Sequence, residues 1–276
     1  RKGEIMKEID MGTNHLKALK GDGIGKIIMN RPEARNAMSD EMNAAMMAVL
    51  EDFENDSEVR AVILTGSEGA FCAGGDVKGM ANKKNDPKRT IDIAIHEQRI
   101  HQRGTSGKLF KMPKPTIAAV NGPAAGAGMS YALSCDLRIM SSSAFFTTAF
   151  AKVGFSGDYG GSYFMTQLVG LSKAKELYFL SDKITADEAL KLGLTNWIVK
   201  HEELEEKTFE IAKQLAQGPS VAFRYMKENL NRAVSGEVDD CLDLEVTHHV
   251  HCGETEDHKN ATKAFVEKKQ PVFKGR

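Results

Sequence analysis

At 276 residues the chain is long enough to bury a sizeable core, which excludes a mini-protein and suits one large domain with or without a smaller appended part. Hydrophobic residues make up 41% and charged residues 27%, and the formal net charge of -1 supplies no field that would draw nucleic acid or an anionic membrane. Four cysteines, Cys72, Cys135, Cys241 and Cys252, lack CxxC spacing and are too few for a disulfide scaffold, so a reducing, cytoplasmic-type compartment is expected.

The opening RKGEIMKEIDMG has no apolar run of signal-peptide length. Residues 15–30, HLKALKGDGIGKIIMN, alternate apolar and polar around Gly-Asp-Gly and predict a β-hairpin. Their G-x-G-x-G is not read as a dinucleotide loop, because RPEARNAMS follows and opens no helix. Ser39 is a candidate N-cap for a helix running to Asn55, with Met42, Ala45, Met46, Val49, Leu50 and Phe53 at helical spacing. RAVILTG reads as a buried parallel strand, followed by the loop SEGAFCAGGD and a charged helical stretch to about Lys111. Pro113 and Pro115 end that stretch, and TIAAVNG is the next buried strand. GAGMSYALS predicts a short buried helix and DLRIMS another strand.

Residues 116–135 carry no charge and are nominally long enough to span a bilayer, but Asn121, Pro123 and the scarcity of large aliphatic side chains favour strand, tight loop and buried helix. GGSYFMTQLVG and SKAKELYFL read as helices. Thr185 and Glu188 form a capping box in ITADEALKLG, and NWIVK is a late strand. From His201 onward four helical segments follow with Gly or Pro punctuation and no strand signal. The expected architecture is an α/β core over 1–200 and a helical region over 201–276.

Two small-residue loops, FCAGGD and NGPAAGAGMS, each follow a buried strand, and the second runs into a helix whose first amides are free. Side by side, such loops can aim two backbone N–H groups at one oxygen. For either loop alone, close packing explains the composition equally well. GFSGDYGGS, residues 154–162, sets one carboxylate, Asp158, among small residues, where an ordinary turn is the simplest reading.

AFCAGGDVKGM at 70–80, followed by PTIAAVNGPAAGAGMSYALSCDLRI at 115–139, resembles the paired signature of the crotonase superfamily, the enoyl-CoA hydratase and isomerase family. MNRPEARNAMS, the GDYGGS region, ITADEALKLGLTNWIV and AFVEKKQPVF extend the likeness in the family's order over nearly the whole chain. The resemblance implies an α/β spiral of repeated ββα units with a C-terminal helical trimerisation region, assembled as a homotrimer or homohexamer. It implies an acyl-CoA substrate, with coenzyme A entering as the thioester and no separate cofactor or metal. By position, the backbone N–H groups of Gly75 and Ala127 would hold the thioester oxygen as it becomes an enolate. Ala73, Asp76, Val77 and Lys78 fall where the family lines the CoA moiety, Arg35 where a basic residue neighbours its phosphates, and Phe265 and Lys268 where C-terminal residues reach a CoA of the same or an adjacent subunit.

A hydratase of this family resembles a two-carboxylate machine, one group activating water and one delivering a proton. The two glutamate positions hold Ser130 and Phe150 here, neither of which can act as a carboxylate. Asp158 matches the catalytic aspartate of dienoyl-CoA isomerases, an isomerase of phenylacetate breakdown and chlorobenzoyl-CoA dehalogenases. Burial beside Phe150, Phe155 and Tyr159 would raise its pKa toward neutrality, as suits a base. Ser130, Phe150 and Tyr159 are accordingly expected to line the acyl pocket, with Asp158 as the acid/base of an enoyl-CoA double-bond isomerase. Hydration, as in fatty-acid or aromatic-acid degradation, is the alternative. Dehalogenase-like chemistry is weaker, since Phe150 stands at that subgroup's Trp position and Trp197 lies in a late strand.

Other features read as surface chemistry. His96 and His101 suit an exposed helix. THHVHCGETEDH at 247–258 has His248 and Cys252 four apart but no second ligand pair, so no metal is expected. Lysines 78, 83, 84 and 88 form a basic patch without interleaved aromatics, which leaves an RNA-binding or scaffold role as the reading from a different class.

Overall fold

The computed structural model describes residues 6–84 and 86–276, so the first five residues of the N-terminal stretch and the Lys84 side chain of the basic patch lie outside the described residues. β1 (Lys7–Ile9) precedes the expected hairpin, β2 (Leu16–Gly21) and β3 (Ile24–Met29), whose tight turn uses the left-handed Asp22 and Gly23. α1 (Asp40–Asn55) begins as expected, with Ser39 Oγ accepting from the Met42 amide at 3.1 Å. β4 (Ala61–Gly66) follows. The charged stretch is not one helix but three: α2 (Val77–Lys84), α3 (Ile91–Gly104) and α4 (Ser106–Lys111). Pro87 cannot continue a helix, and Thr90 starts a new one by capping the Ile93 amide at 3.2 Å.

β5 (Thr116–Val120), β6 (Ala124–Ala125), α5 (Ala127–Ser134), β7 (Leu137–Ser141) and β8 (Phe145–Thr147) come next, and every residue of α5 is buried. α6 (Gly161–Val169), α7 (Leu171–Leu180), β9 (Ile184–Thr185), α8 (Ala186–Leu192) and β10 (Trp197–Val199) complete the first two hundred residues. The capping box of Thr185 and Glu188 is present. α9 (Leu204–Ala216), α10 (Ser220–Ala233), α11 (Val238–Gly253) and α12 (Glu256–Val266) form the helical segment.

The main sheet has the order β1-β2-β3-β4-β5-β7-β10, antiparallel from β1 to β3 and parallel from β3 to β10. Ile24 pairs with Ala61, Val62 with Thr116 and Ile117 with Leu137. Successive residues of β4 face opposite sides, and both sides are apolar because both are covered. Val62 and Leu64 face a core built with α1, α5 and α6, while Ala61 and Ile63 join Ile24, Ile117, Ala119 and Ile139 against Leu204, Ala212 and Ala216 of α9. The first helix of the 201–276 segment is thus a layer of the core.

α10 is tied in by one buried cation. Lys227 Nζ donates to Leu109 O (3.1 Å) and Lys114 O (3.0 Å) and pairs with Asp136 at 2.9 Å. A second, three-stranded sheet, β6-β8-β9, stands beside the main one. The uncharged 116–135 stretch is β5, β6 and α5, and among the described residues no helix is long and apolar enough to cross a membrane.

Candidate active site

β4 and β5 are neighbours in the parallel sheet, so the loops that leave their carboxyl ends emerge side by side. Two asparagines pin the first loop. Asn36 Nδ2 donates to Ser67 O (2.9 Å) and Ala70 O (2.8 Å), and Asn121 Nδ2 donates to Glu68 O (2.8 Å) and Ala70 O (3.0 Å). Phe71 N–H donates to Pro123 O (3.1 Å), and Ala125 N–H to Cys72 O (3.0 Å), which joins the loops directly. Gly128 permits the closest approach, since a Cβ there would collide with the Cys72 carbonyl.

The amides around Gly75 and Ala127 are spent on the fold: Ala73 N–H on Arg35 O (3.0 Å), Asp76 N–H on Met38 O (3.2 Å), Gly126 N–H on Thr147 O (3.0 Å). Among the described residues the amides of Gly75 and Ala127 themselves donate no hydrogen bond. A Cβ on Gly74 would stand 3.6 Å from Ala127 N, so the two donor-bearing segments abut.

Asp158 sits in a turn held in left-handed backbone by Gly157 (φ 113°), Tyr159 (φ 51°) and Gly160 (φ 84°). The turn reading of GFSGDYGGS was therefore correct for the backbone, while the carboxyl group is half-buried beneath it. Burial pushes the Asp158 pKa up to about 6 against the smaller, opposing effect of its hydrogen bond from Gln98 Nε2 to Oδ2 (3.3 Å). Oδ1 is buried and without a partner among the described residues. Ser130 Oγ donates to the Asp158 carbonyl oxygen at 3.0 Å, and Gln102 Oε1 accepts from the Tyr159 amide at 2.9 Å. α5 and α3 together fix the turn.

Phe150 is buried and stacks on Tyr178 with centroids 5.9 Å apart at 23°. A Cβ on Gly126 would lie 3.5 Å from the Phe150 ring, and one on Gly157 3.6 Å from it, so this ring connects the second loop to the Asp158 turn. Tyr159, expected in the same pocket, turns its ring into the core, edge-on to Tyr131 at 5.3 Å. Its left-handed φ sends the side chain inward. Phe155, expected to shield Asp158, is instead 56% exposed, because the left-handed Gly154 directs the chain outward.

Of the residues expected to meet the coenzyme, Arg35 is exposed at a left-handed φ of 50° and lines a groove of about 490 Å³ with Ser67, Glu68, Pro123, Phe145 and Lys183. Ala73, Val77 and Lys78 are exposed along the edge of the first loop and α2. The Asp76 side chain is already occupied: it accepts from the Gly79 amide (3.2 Å) and pairs with Arg31 (3.2 Å). Burial works upward on its pKa, but these partners outweigh it and hold the group below the ordinary carboxylate range. Phe265 and Lys268 stand exposed on and just after α12, which packs against α11.

Gln98, Gln102, Asn36, Arg31 and Tyr178 were not singled out from the sequence, and Asn121 only as a breaker of the 116–135 stretch, although the N-G pair at 121–122 marks a turn in which such an Asn side chain finds backbone partners. Among the described residues no three His, Cys, Asp or Glu side chains group closely enough to hold a metal. His248 is engaged at both nitrogens, by Asn229 Oδ1 (2.6 Å) and Glu228 Oε2 (3.3 Å), and stacks on Tyr225. All four cysteines are free, and burial pushes the thiols of Cys72 and Cys135 up to about 12.

The family model for enoyl-CoA hydratase/isomerase matches residues 20–276. A short-chain-enoyl-CoA hydratase of Clostridium acetobutylicum is 37% identical over 94% of this chain and 97% of its own length. A 1,2-epoxyphenylacetyl-CoA isomerase of Escherichia coli is 34% identical over 92% of this chain and 96% of its own. The solved enoyl-CoA hydratase from Bacillus anthracis superposes with a TM-score of 0.85 at 30% identity, covering 99% of this chain and 100% of that one. Two abutting loops after adjacent parallel strands, a half-buried aspartate behind them and a likeness that runs from end to end have one common explanation: the chain belongs to the enoyl-CoA hydratase/isomerase family of the crotonase superfamily.

Proposed function

We propose that the protein shifts the double bond of an enoyl-CoA, with Asp158 moving the proton and the amides of Gly75 and Ala127 holding the thioester oxygen. The observation that carries this reading is the single carboxylate. By the family resemblance Ser130 and Phe150 stand where two glutamates would serve hydration, and among the described residues of the proposed site Asp158 alone offers a carboxyl group, with a pKa raised to about 6. A base of that pKa is ionised at neutral pH yet still able to return its proton.

Asp158 takes the C2 proton of a 3-enoyl thioester, and the electrons of the C–H bond move onto the thioester oxygen as a dienolate. Two unspent amides stabilise that charge, each worth on the order of a hundredfold or more in rate. Asp158 then delivers the same proton to C4, which leaves the double bond between C2 and C3. Neither water nor a second acid enters the balance. Arg35 and Lys183 flank the groove in which the CoA phosphates would lie, Ala73, Val77 and Lys78 run beside it, and Asp76 serves by shaping α2. Phe265 and Lys268, exposed in the single chain, are free to reach a CoA bound to a neighbouring subunit.

Hydration is the second reading, favoured by the printed activity of the 37% identical relative. Incubation with 3-enoyl-CoA and 2-enoyl-CoA in heavy-oxygen water separates the two. Isomerisation interconverts the thioesters at unchanged mass, whereas rapid incorporation of labelled oxygen from 2-enoyl-CoA makes the enzyme a hydratase.

A further inference from the structure

Tyr178 projects from α7 against the Asp158 turn. Its ring stacks on Phe150 and covers Gly157, where an added Cβ would stand 3.1 Å from Tyr178 Cε1. Its hydroxyl reaches past Gly161, at which a Cβ would collide with Ser130 Oγ and crowd the Tyr178 oxygen at 2.6 Å. Ser130 Oγ has two backbone carbonyls to receive its proton, Asp158 O at 3.0 Å and Gly126 O at 3.3 Å. The Tyr178 hydroxyl is itself buried and has no hydrogen-bond partner among the described residues, and Asp158 Oδ1 shares that condition. Burial first, and the Asp158 charge second, raise the phenol pKa above its ordinary value. Tyr178 is therefore a protonated donor at neutral pH. A buried donor left unpaired destabilises the fold, and a phenylalanine would keep the same stack without that cost.

We propose that Tyr178 is a specificity-determining residue of the acyl pocket: its O–H donates a hydrogen bond to an oxygen carried by the acyl chain beyond the thioester, so the preferred substrates are oxygenated acyl-CoA thioesters. The proposal rests on the reading that the acyl chain lies beside Asp158. Division of labour follows from the two orphaned groups. Asp158 accepts a C–H proton, and Tyr178, which neither gains nor loses a proton, fixes the carbon skeleton by its oxygen. Selection of this kind is strong because a substrate lacking the oxygen leaves the phenol unpaired.

Calorimetric titration tests it with two matched pairs, 4-hydroxybutanoyl-CoA against pentanoyl-CoA and 5-hydroxypentanoyl-CoA against hexanoyl-CoA, none of which is the substrate or product of a 2-enoyl hydration. In at least one pair the hydroxylated thioester binds the wild-type protein about fivefold tighter or more, the scale of one hydrogen bond. Tyr178→Phe abolishes that preference and leaves the affinity for the unsubstituted partner unchanged, which also shows that the pocket is intact. A wild-type protein without preference in either pair, as when water satisfies the phenol, overturns the proposal. So does a preference that survives in Tyr178→Phe, or a variant that weakens both partners alike. Binding is measured rather than turnover, so the outcome does not depend on whether the enzyme isomerises or hydrates, and a lost preference leaves the assignment of Asp158 standing.

Discussion

Gln98 on α3 places its amide nitrogen 3.3 Å from Oδ2 of Asp158, across sixty residues of sequence. Gln98 also donates to Gln102 Oε1 at 3.3 Å, and Gln102 in turn receives the Tyr159 amide. An amide that donates to the ionised carboxylate favours the charged form, opposing the burial that raises the pKa. The carboxyl group proposed as general base is thus set by two opposing influences, and each is open to mutation.

Turnover should fall with acid below about pH 6, as the Asp158 carboxylate gains a proton. Gln98→Leu should move that acidic limb to higher pH while leaving the limiting rate at alkaline pH within a fewfold of wild type. Asp158→Asn should remove the limb and lower kcat by about 10² to 10⁴. Profiles of kcat/KM against pH for the three proteins check this, and a limb unmoved in Gln98→Leu would deny the glutamine its influence.

The same carboxylate should weaken the fold at neutral pH. Its folded pKa of about 6 lies above the ordinary 3.8, so between these values the native state holds a proton that the unfolded chain has released. Stability must then decline as pH rises from about 4 to 6, and the burial penalty is fully present above that window. Asp158→Asn should stabilise the protein by about 2 kcal/mol at pH 7.5 and by much less at pH 4. Denaturant titrations at the two pH values give the difference, and an equal gain at both would contradict the linkage.

Two glycines of the loop pair should respond differently to one added methyl group. At Gly128 the methyl meets the Cys72 backbone carbonyl, which cannot move without parting the loops, whereas at Gly75 it meets only the flexible end of Met80. Gly128→Ala should therefore cost about 2 kcal/mol or more of stability and most of the turnover. Gly75→Ala should fold with a nearly unchanged melting temperature. Melting curves of the two variants make the comparison.

α11 carries Val238, Leu242, Val246 and Val250 at four-residue spacing, each more than half exposed in the single chain. Such a stripe suits an interface between subunits, as the family resemblance implies. Leu242→Glu with Val246→Glu should convert a trimeric or hexameric assembly to monomers in light scattering. An unchanged mass would place the interface elsewhere.

Much of the fold was legible because its core elements advertise themselves. β4 and β5 are nearly continuous apolar runs, and α1 repeats its apolar face over sixteen residues behind a serine cap. β6 and β9 have two residues each, too few to show any period. Asp158 could be picked out as the lone acid in a run of small residues. The glutamines could not, because on a polar, exposed helix such as α3 a Gln reads as solvated surface until the chain brings residue 158 to it. Tyr178 was hidden for the opposite reason, since in KAKELYFL an aromatic reads as ordinary packing.

The layer formed by α9 also bears on synthesis. Ile24, Ile63, Ile117 and Ile139 have no cover on their side of the sheet until Leu204, Ala212 and Ala216 arrive. A nascent chain halted near residue 200 would hold every strand of the sheet and most of the proposed acyl site, yet present an apolar face to water. Native structure must wait until enough chain beyond Ala216 has been made to carry α9 clear of the ribosome. During that interval the uncovered sheet face is the surface on which a holding chaperone would act.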